Sequence, residues 1–488
     1  MILITLGFAW AFASPSADWR LWLHPGTTSN FRSSIFAIDT ADNYGGNWYA
    51  LRLPLANGLA YRDLPPMFTI EIGATIDSTL EIRGKFPLRR DIEAWHLDKA
   101  GKTFTGSPSE LNINVPEESW AVWRHRSGFV MGGRFPINVG PSPNSIVLGS
   151  GVPYHDAIRW QEHFGHARYD FILSSLNAHL TSAEDWQQQN FSVTNARGRI
   201  YSEPQKNLLL HRVQAGGNWG HVALIEQSLI GGKSLSFREV NPFMAWHDNY
   251  GDGFTKASTT FEVLTRPLPN TQFYWQLDAE DIASPVGEGG GATAPTTLGA
   301  LAGWSQEWHK DSVWRLWSRL DAVYTDPAFN NHNIPLLKMT SRFLYRSNFR
   351  KQQEPFFADT YILDYPLGYQ RGPDALDLWW NMGWEYKPRR IGGEFELAWL
   401  RQGNNELWTA WNSASQHPRA LSGLVEEDRR ASFKFWAIPF PRIPSRSWDL
   451  KCLAGAGLRY LENEEHVSGK NRWDLGWNLG VEGSVGSR

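Results

Sequence analysis

Apolar and polar residues alternate along most of the chain, and apolar stripes with the 3.6-residue period of a helix are scarce. Over 68–76, Phe68, Ile70, Ile72, Ala74 and Ile76 alternate with Thr69, Glu71, Gly73 and Thr75. Leu298, Ala300, Ala302, Trp304 and Trp308 share one face of 298–308, and over 312–322 Trp314, Leu316, Leu320 and Ala322 oppose Arg315, Arg319 and Asp321. Phe395, Leu397 and Trp399 stand against Glu394 and Glu396. The last segment is the cleanest, with Trp473, Leu475, Trp477, Leu479, Val481 and Val485 alternating with Asp474, Gly476, Asn478, Gly480, Glu482 and Ser484. A period of two gives each such strand one apolar and one polar face.

Soluble sandwiches alternate in the same way, so the connections decide the kind of sheet. Read back from the last strand they switch between longer and shorter: 461–472 moderate, 438–449 a Pro-rich turn, 402–430 long, 387–391 tight, 323–374 very long, 309–311 tight, 280–297 long, 266–270 tight, 229–256 long, 215–218 tight and 177–206 long. Short periplasmic turns and long extracellular loops describe an outer-membrane barrel. Counting a weak first strand near 47–54, the pattern predicts an all-β fold, a transmembrane antiparallel β-barrel of about 18 strands (16–18) with both termini in the periplasm. Closing the sheet removes unpaired edges. Residues 47–488 are expected to form this one barrel, after an irregular periplasmic segment over 14–46. Residues 1–13 read as a signal peptide, an apolar stretch ending in Ala11-Phe12-Ala13 with cleavage after Ala13. The expected location is the cell outer membrane.

Composition narrows the class further. A mean hydropathy of −0.41 argues against a bundle of membrane helices, and after residue 13 no uncharged apolar run reaches the roughly 18 residues a spanning helix needs. The 47 basic and 50 acidic residues nearly cancel, so nothing points to nucleic acid. The 26 tryptophans are many for a soluble enzyme and suit an interface that is half apolar and half wet. Many fall near strand ends, among them Trp219, Trp275, Trp314, Trp384, Trp399 and Trp473, and read as girdles at the two membrane surfaces.

Other aromatics sit in mid-loop beside Asp, Asn and Gln. Trp246, Asp248, Tyr250 and Asp252 cluster in one loop, Tyr365, Tyr369 and Asp374 in a second, and Trp408 and Trp411 in a third. Aromatic rings stack on the apolar face of a sugar while carboxylates accept from its hydroxyls, so these nine are the candidate carbohydrate-binding residues; packing within the loops is the competing explanation. The inward charges Glu71, Asp278, Arg315, Arg319, Asp321, Glu394, Glu396, Lys451 and Arg459 are of mixed sign, which favours a constricted lumen over a pore lined by one charge. Chemistry of catalysis is thin. Asp278, Glu280 and Asp281, or Asp248 with Asp252, offer paired carboxylates of the kind glycosidases use, but acidic residues at strand ends and in loops are more often solvated. His155, His163 and His166 lack zinc-ligand spacing. No catalytic residue, metal or cofactor is expected.

Three segments carry a resemblance to a family. Residues 129–177, with Asn138-Val139-Gly140-Pro141 after a strand, resemble the strand and Gly-Pro loop of Wzi-like capsule-assembly proteins. Residues 241–281 are similar to that family's strand, Pro-containing turn and aromatic-Gln strand. Tyr365-Pro366-Leu367-Gly368 with Gly372-Pro373-Asp374 look like its YPLG and Gly-rich loop. The resemblance spans roughly 67–485 and implies an outer-membrane barrel of about 18 strands acting as a surface lectin. It departs from the pattern in carrying Val139 where the family has Trp, in lacking a helical period over 14–66, where anchoring members have a helical bundle, and in ending in Arg488 instead of an aromatic. The expected function is therefore binding or tethering of capsular or exopolysaccharide by extracellular loops, without enzymatic activity, with outer-membrane lipid as the other partner and a monomer favoured. The alternatives are an outer-membrane porin or solute channel and, behind it, a secreted all-β glycosidase.

Overall fold

In the computed structural model the backbone is described over residues 16–23, 26–29, 41–43, 49–77, 79–97, 102–112, 116–194, 203–243, 254–280, 296–311, 313–347, 358–409, 420–439 and 448–486, with side chains from Arg52 onward. Twenty strands belong to one sheet. Two of them, Gly26–Ser29 and Leu111–Asn112, are short appendages. The other eighteen are Ser16–Leu23, Phe68–Ile76, Leu80–Arg90, Glu118–His125, Gly128–Phe135, His155–Phe164, Ala167–Leu176, Lys206–Gly217, Gly220–Gly231, Thr255–Thr265, Thr271–Glu280, Thr297–Lys310, Trp314–Thr325, Ala375–Tyr386, Ile391–Gln402, Glu426–Ala437, Trp448–Glu462 and Arg472–Gly486. Each pairs antiparallel with the next, and Ser16–Leu23 pairs with both Phe68–Ile76 and Arg472–Gly486, so the first and last members of the order meet. This is the all-β transmembrane antiparallel barrel that the alternation predicts, with short turns at one end and long connections at the other.

The faces follow the sequence phase. Ile72, Ile158, Leu224, Phe261, Leu277 and Leu475 point outward and are half exposed or more. Aromatic pairs mark both rims: Trp314 packs on Tyr386 (centroids 4.6 Å apart) beside a turn, and Tyr460 on Trp473 (4.7 Å) beside a loop. Inward positions carry the charges, with Asp278 and Asp321 buried and Arg459 paired to Asp428 at 2.9 Å. The largest apolar core lies inside the barrel on the loop side, where Ile146, Leu148, Ile172, Leu208, Leu210, Leu229 and Phe329 meet.

Two expectations for the N-terminal part fail. The segment 47–54 does not give the first barrel strand; Tyr49–Arg52 joins a separate four-stranded sheet, parallel to Ala358–Pro366. The place in the barrel goes to Ser16–Leu23, inside the stretch expected to be irregular. Its eight residues do alternate, but too briefly to stand out beside an export-like apolar run. Within the supposedly non-helical 14–66, Leu55–Arg62 is an α-helix whose buried positions are Asn57, Gly58 and Tyr61. A helix buried through small and polar residues leaves no apolar stripe to read.

Candidate functional site

Two long connections fold back into the lumen. The one over 136–154 leaves Phe135 and bonds to strands far around the sheet. Ser142 Oγ and Asn144 Nδ2 donate to Asp321 Oδ2 (2.7 and 3.0 Å), and Tyr274 Oη donates to the other oxygen (2.5 Å). Gln276 Oε1 accepts from Ile146 N (3.1 Å) and Ser145 Oγ (3.0 Å), and Gln227 Nε2 donates to Val147 O (3.0 Å). Gly140, at φ 130°, passes so close to the Gln276 amide that a Cβ there would collide with it. Glycine is therefore what lets this Gly-Pro loop lie against the far wall.

The connection over 326–374 contributes a hairpin, Thr340–Arg346 with Ala358–Pro366. Tyr49–Arg52 lies along its second strand, and Leu53 N donates to Ile362 O (3.0 Å). Helix Leu55–Arg62 packs on the hairpin, fixed by Tyr365 Oη donating to Gly58 O (3.0 Å). Four elements are tied by one ionic knot. Arg342 donates to Asp364 (2.7 and 3.0 Å) and Glu184 (2.7 and 2.9 Å), and Arg52 reaches Glu184 (2.5 Å) and Asp364 (3.3 Å). Burial by itself would raise the Glu184 pKa, but the two guanidiniums overrule it and hold the carboxyl at about 2. Together these segments make a plug.

Between plug and wall runs a narrow cleft of about 20 Å³ that opens toward solvent. Helix Leu55–Arg62 supplies Tyr61 and Arg62, the hairpin supplies Tyr345, strand Leu80–Arg90 supplies Pro87 and Arg89, the short strand Leu111–Asn112 supplies Asn112, and connections supply Glu117, Pro153 and Tyr154. The rings are held by each other: Tyr61 meets Tyr345 edge-on (5.4 Å, 88°), Tyr154 meets Phe343 (4.8 Å, 80°), and the Arg134 guanidinium covers Tyr154 at 4.2 Å. Arg134 is fixed in turn by both oxygens of Asp156 (2.8 and 2.9 Å). Arg89 donates to Glu117 (2.7 Å) and to the Arg62 carbonyl (2.9 Å), and Arg62 to the carbonyls of Ser150 (3.2 Å) and Gly151 (2.9 Å). Burial pushes the Tyr61, Tyr154 and Tyr345 hydroxyls above their ordinary range, so all three stay protonated donors. The partly exposed Tyr154 and Tyr345 rings, a guanidinium and a carboxylate on fixed supports can hydrogen-bond hydroxyl groups at the mouth of the cleft. Among the described residues no three His, Cys, Asp or Glu side chains converge as a metal site.

The residues expected from sequence are distributed otherwise. Tyr365, Tyr369 and Asp374 are fully buried and bond to the plug helix, the wall strand Ala375–Tyr386 and the connection after Gln402 respectively, which corrects their assignment to a sugar-facing surface. Tyr369 Oη donates to Asp377 (2.5 Å) and accepts from Trp379 Nε1 (2.8 Å); Asp374, at φ 60°, accepts from the amides of Asn405 and Ser422 (both 2.9 Å). A ring sealed on both faces has none left for stacking. Trp408 is half buried with the Arg52 guanidinium 4.0 Å from its ring centre, so it roofs the ionic knot. Trp246, Asp248, Tyr250, Asp252 and Trp411 lie outside the described residues. Asp278 and Glu280 are buried, accepting from Thr260 Oγ1 (2.6 Å) and Lys256 Nζ (3.1 Å); Asp281 is outside the described residues. The cleft residues were missed because the search was for aromatics beside acids and amides. The available signal was aromatic beside arginine: Tyr61-Arg62 and Tyr345-Arg346 both place their tyrosine in the cleft.

Fold and lumen together define a plugged outer-membrane β-barrel. No protein-family model and no curated protein sequence matches the chain. Among solved structures it is similar to Wzi of Escherichia coli, described as an outer-membrane protein of group 1 capsule assembly and a carbohydrate-binding β-barrel, at 12% identity and a TM-score of 0.48, over 99% of this chain and 87% of that one. It is also similar to Pseudomonas aeruginosa OccK3 (7%, TM-score 0.44, 100% of both chains) and OprD (7%, 0.42, 98% and 96%).

Proposed function

We propose that the chain is a non-enzymatic outer-membrane barrel that binds capsular or other surface polysaccharide at its loop end, with the cleft between plug and wall as the inner part of the site. The observation that carries this reading is the cleft itself, where the partly exposed Tyr154 and Tyr345 rings stand beside Arg89 and Glu117. Hydroxyl recognition needs fixed donors and acceptors, which this cleft offers, and the exposed parts of its two rings add apolar contact. Trp246, Asp248, Tyr250, Asp252 and Trp411 stay in the proposal as outer contacts of the same glycan. The chain is exported by a signal peptide cleaved after Ala13, sits in outer-membrane lipid and acts as a monomer.

The test is a glycan array on detergent-purified protein, parent beside Tyr154→Ala. Binding of an acidic or neutral polysaccharide by the parent, reduced in the variant, supports the reading; equal binding by both sinks the cleft as the site. A solute channel is the second reading, favoured by the turn-side lumen, where the inward Lys451 and Arg315 are about a third to a half exposed. Planar-bilayer recording separates the two, because a steady ohmic current would mean that the plug leaves a continuous path.

A further inference from the structure

On one side of the barrel the outer face of the wall is covered. In the strands Ala167–Leu176, Lys206–Gly217 and Gly220–Gly231, successive residues face opposite ways, and on the loop side both sets are buried. Ile172, Leu208, Leu210, Ile225 and Leu229 belong to the interior core. Their neighbours Phe171, Leu209 and Ile230 form a separate cluster on the outer face, exposed by only 8, 0 and 1%. Outward residues around them stay open, Ile158, Val213 and Leu224 at 51, 55 and 56%. The register confirms the faces, since Val213 pairs with both Tyr169 and Leu224, and Phe171 pairs with Trp160.

The cover is the segment that follows Gly231. Leu235 packs into the outer cluster. Phe243 stacks on Tyr169 (5.9 Å, 20°) and lies edge-on to Trp160 (6.0 Å), while Tyr169 Oη donates to the Pro242 carbonyl. The segment holds its own shape through Glu239, which pairs with Lys233 and accepts from Ser236 N (2.6 Å) and Oγ (2.9 Å). The same outer face carries a hydrogen-bonded polar pair, His211 Nε2 and Glu226 Oε2 at 2.6 Å, with side chains 16 and 14% exposed. Charged groups turned toward acyl chains are costly, so this face needs shielding. The segment's own outer surface is aromatic, with Phe237 and Phe243 exposed by 96 and 77%.

We propose that residues 232–243 form a strap that lies against the barrel wall in the outer leaflet, with Phe237 and Phe243 inserted among lipid acyl chains and the His211–Glu226 pair sheltered beneath. Continuity identifies the occupant. Val213, Leu224 and Ile158 belong to the apolar belt that the barrel turns to the bilayer, and the two phenylalanines extend that belt across the strap. Interfacial aromatic residues are the usual anchors at this level.

The test uses the full chain carrying Cys452→Ser, which removes the one native thiol. A polarity-sensitive fluorophore is attached at Phe237→Cys and, as a water-facing control, at exposed Ser468→Cys on the 463–471 loop. The proteins are folded into phosphatidylcholine vesicles with or without nitroxide-bearing lipid. The expected result is a blue-shifted emission at 237 that lipid nitroxide quenches and aqueous iodide does not, with the reverse at 468. Iodide quenching at 237 without nitroxide quenching overturns the proposal. So does protection from both quenchers accompanied by thiol cross-linking between chains, which would make a second copy the occupant. Heat-modifiable mobility checks folding, and Arg238→Cys reads the same strap if the Phe237 variant does not fold.

Discussion

The loop-side and turn-side halves of the lumen are built from the same strands with the same inward charges, and they differ in what lies between those charges. On the loop side, folded connections fill the interior: Asp321 is met by Ser142 and Asn144, and Glu184 and Asp364 share two guanidiniums at side-chain exposures of 3 to 8%. On the turn side, Arg315 faces Glu307 at 3.0 Å with the guanidinium 46% exposed, and Lys451 stands 3.8 Å from Glu482 with its ammonium 35% exposed. Water screens the second kind of pair and is excluded from the first. Alternation in the sequence specifies that a charge points inward. It does not specify whether the charge meets water or a folded loop.

The largest contrast is therefore expected from breaking an ion pair in each half. Arg342→Met leaves Glu184 and Asp364 buried with only Arg52 between them and should cost about 3–5 kcal/mol. Lys451→Ala should cost about 0–1 kcal/mol, the range of a solvated pair. Urea unfolding in detergent, followed by heat-modifiable mobility and tryptophan emission, compares the two. Similar losses would mean that the plug shields the knot no better than bulk solvent does.

Acid should act on the same half. Glu184 ionises at about 2 in the folded chain against an ordinary 4.5. A depressed carboxylate stabilises the fold above its unfolded pKa, and that contribution disappears as pH falls from about 4.5 to about 2. Loop-side stability should drop across this window by roughly 3 kcal/mol, and Glu184→Gln should flatten the acid limb while lowering stability at neutral pH. An unchanged acid limb in that variant would show that other groups carry the transition.

The tyrosines that the sequence nominated for sugar should prove to be plug residues. Tyr369→Phe removes a donor from Asp377 and an acceptor from Trp379, and should cost about 1–3 kcal/mol through unsatisfied buried polar groups. Glycan binding measured on folded protein should not change. A binding loss without a stability loss would restore the sequence assignment.

The barrel was legible because membrane strands repeat one rule many times. Every turn read between 215 and 391 falls at or within about two residues of an observed strand end, since a period of two and a turn are local properties. The plug was illegible for the opposite reason. Ser142 with Asp321, Tyr61 with Asn112 and Arg342 with Glu184 are separated by 179, 51 and 158 residues, and nothing within a strand-length window records such partnerships. Tyr365 and Tyr369 show the consequence. Their Asp, Gly and Gln neighbours made them look like loop-tip ligands, whereas the 326–374 connection folds inward and the same groups become internal hydrogen-bond partners. Inward charge of mixed sign pointed to a constricted lumen, but it named the wall and not the loops that fold into it.

A modest expected change in stability also gives the sharpest test of the comparison. Tyr154 stands where the plug meets the wall: half-buried, covered by Arg134 on one face and edge-packed by Phe343. Tyr154→Ala removes a ring without orphaning a buried charge, because Arg134 keeps both bonds to Asp156. Its stability should fall by about 1–2 kcal/mol, less than a fully buried ring would cost. Loss of one stacking face should weaken glycan binding about ten-fold, corresponding to about 1.4 kcal/mol. Arg315→Ala, taken from the turn-side lumen, should leave both quantities within the error of the parent. If both variants weaken glycan binding equally, the polysaccharide is not held at the loop-side cleft, and the difference between the two halves of the lumen is structural only.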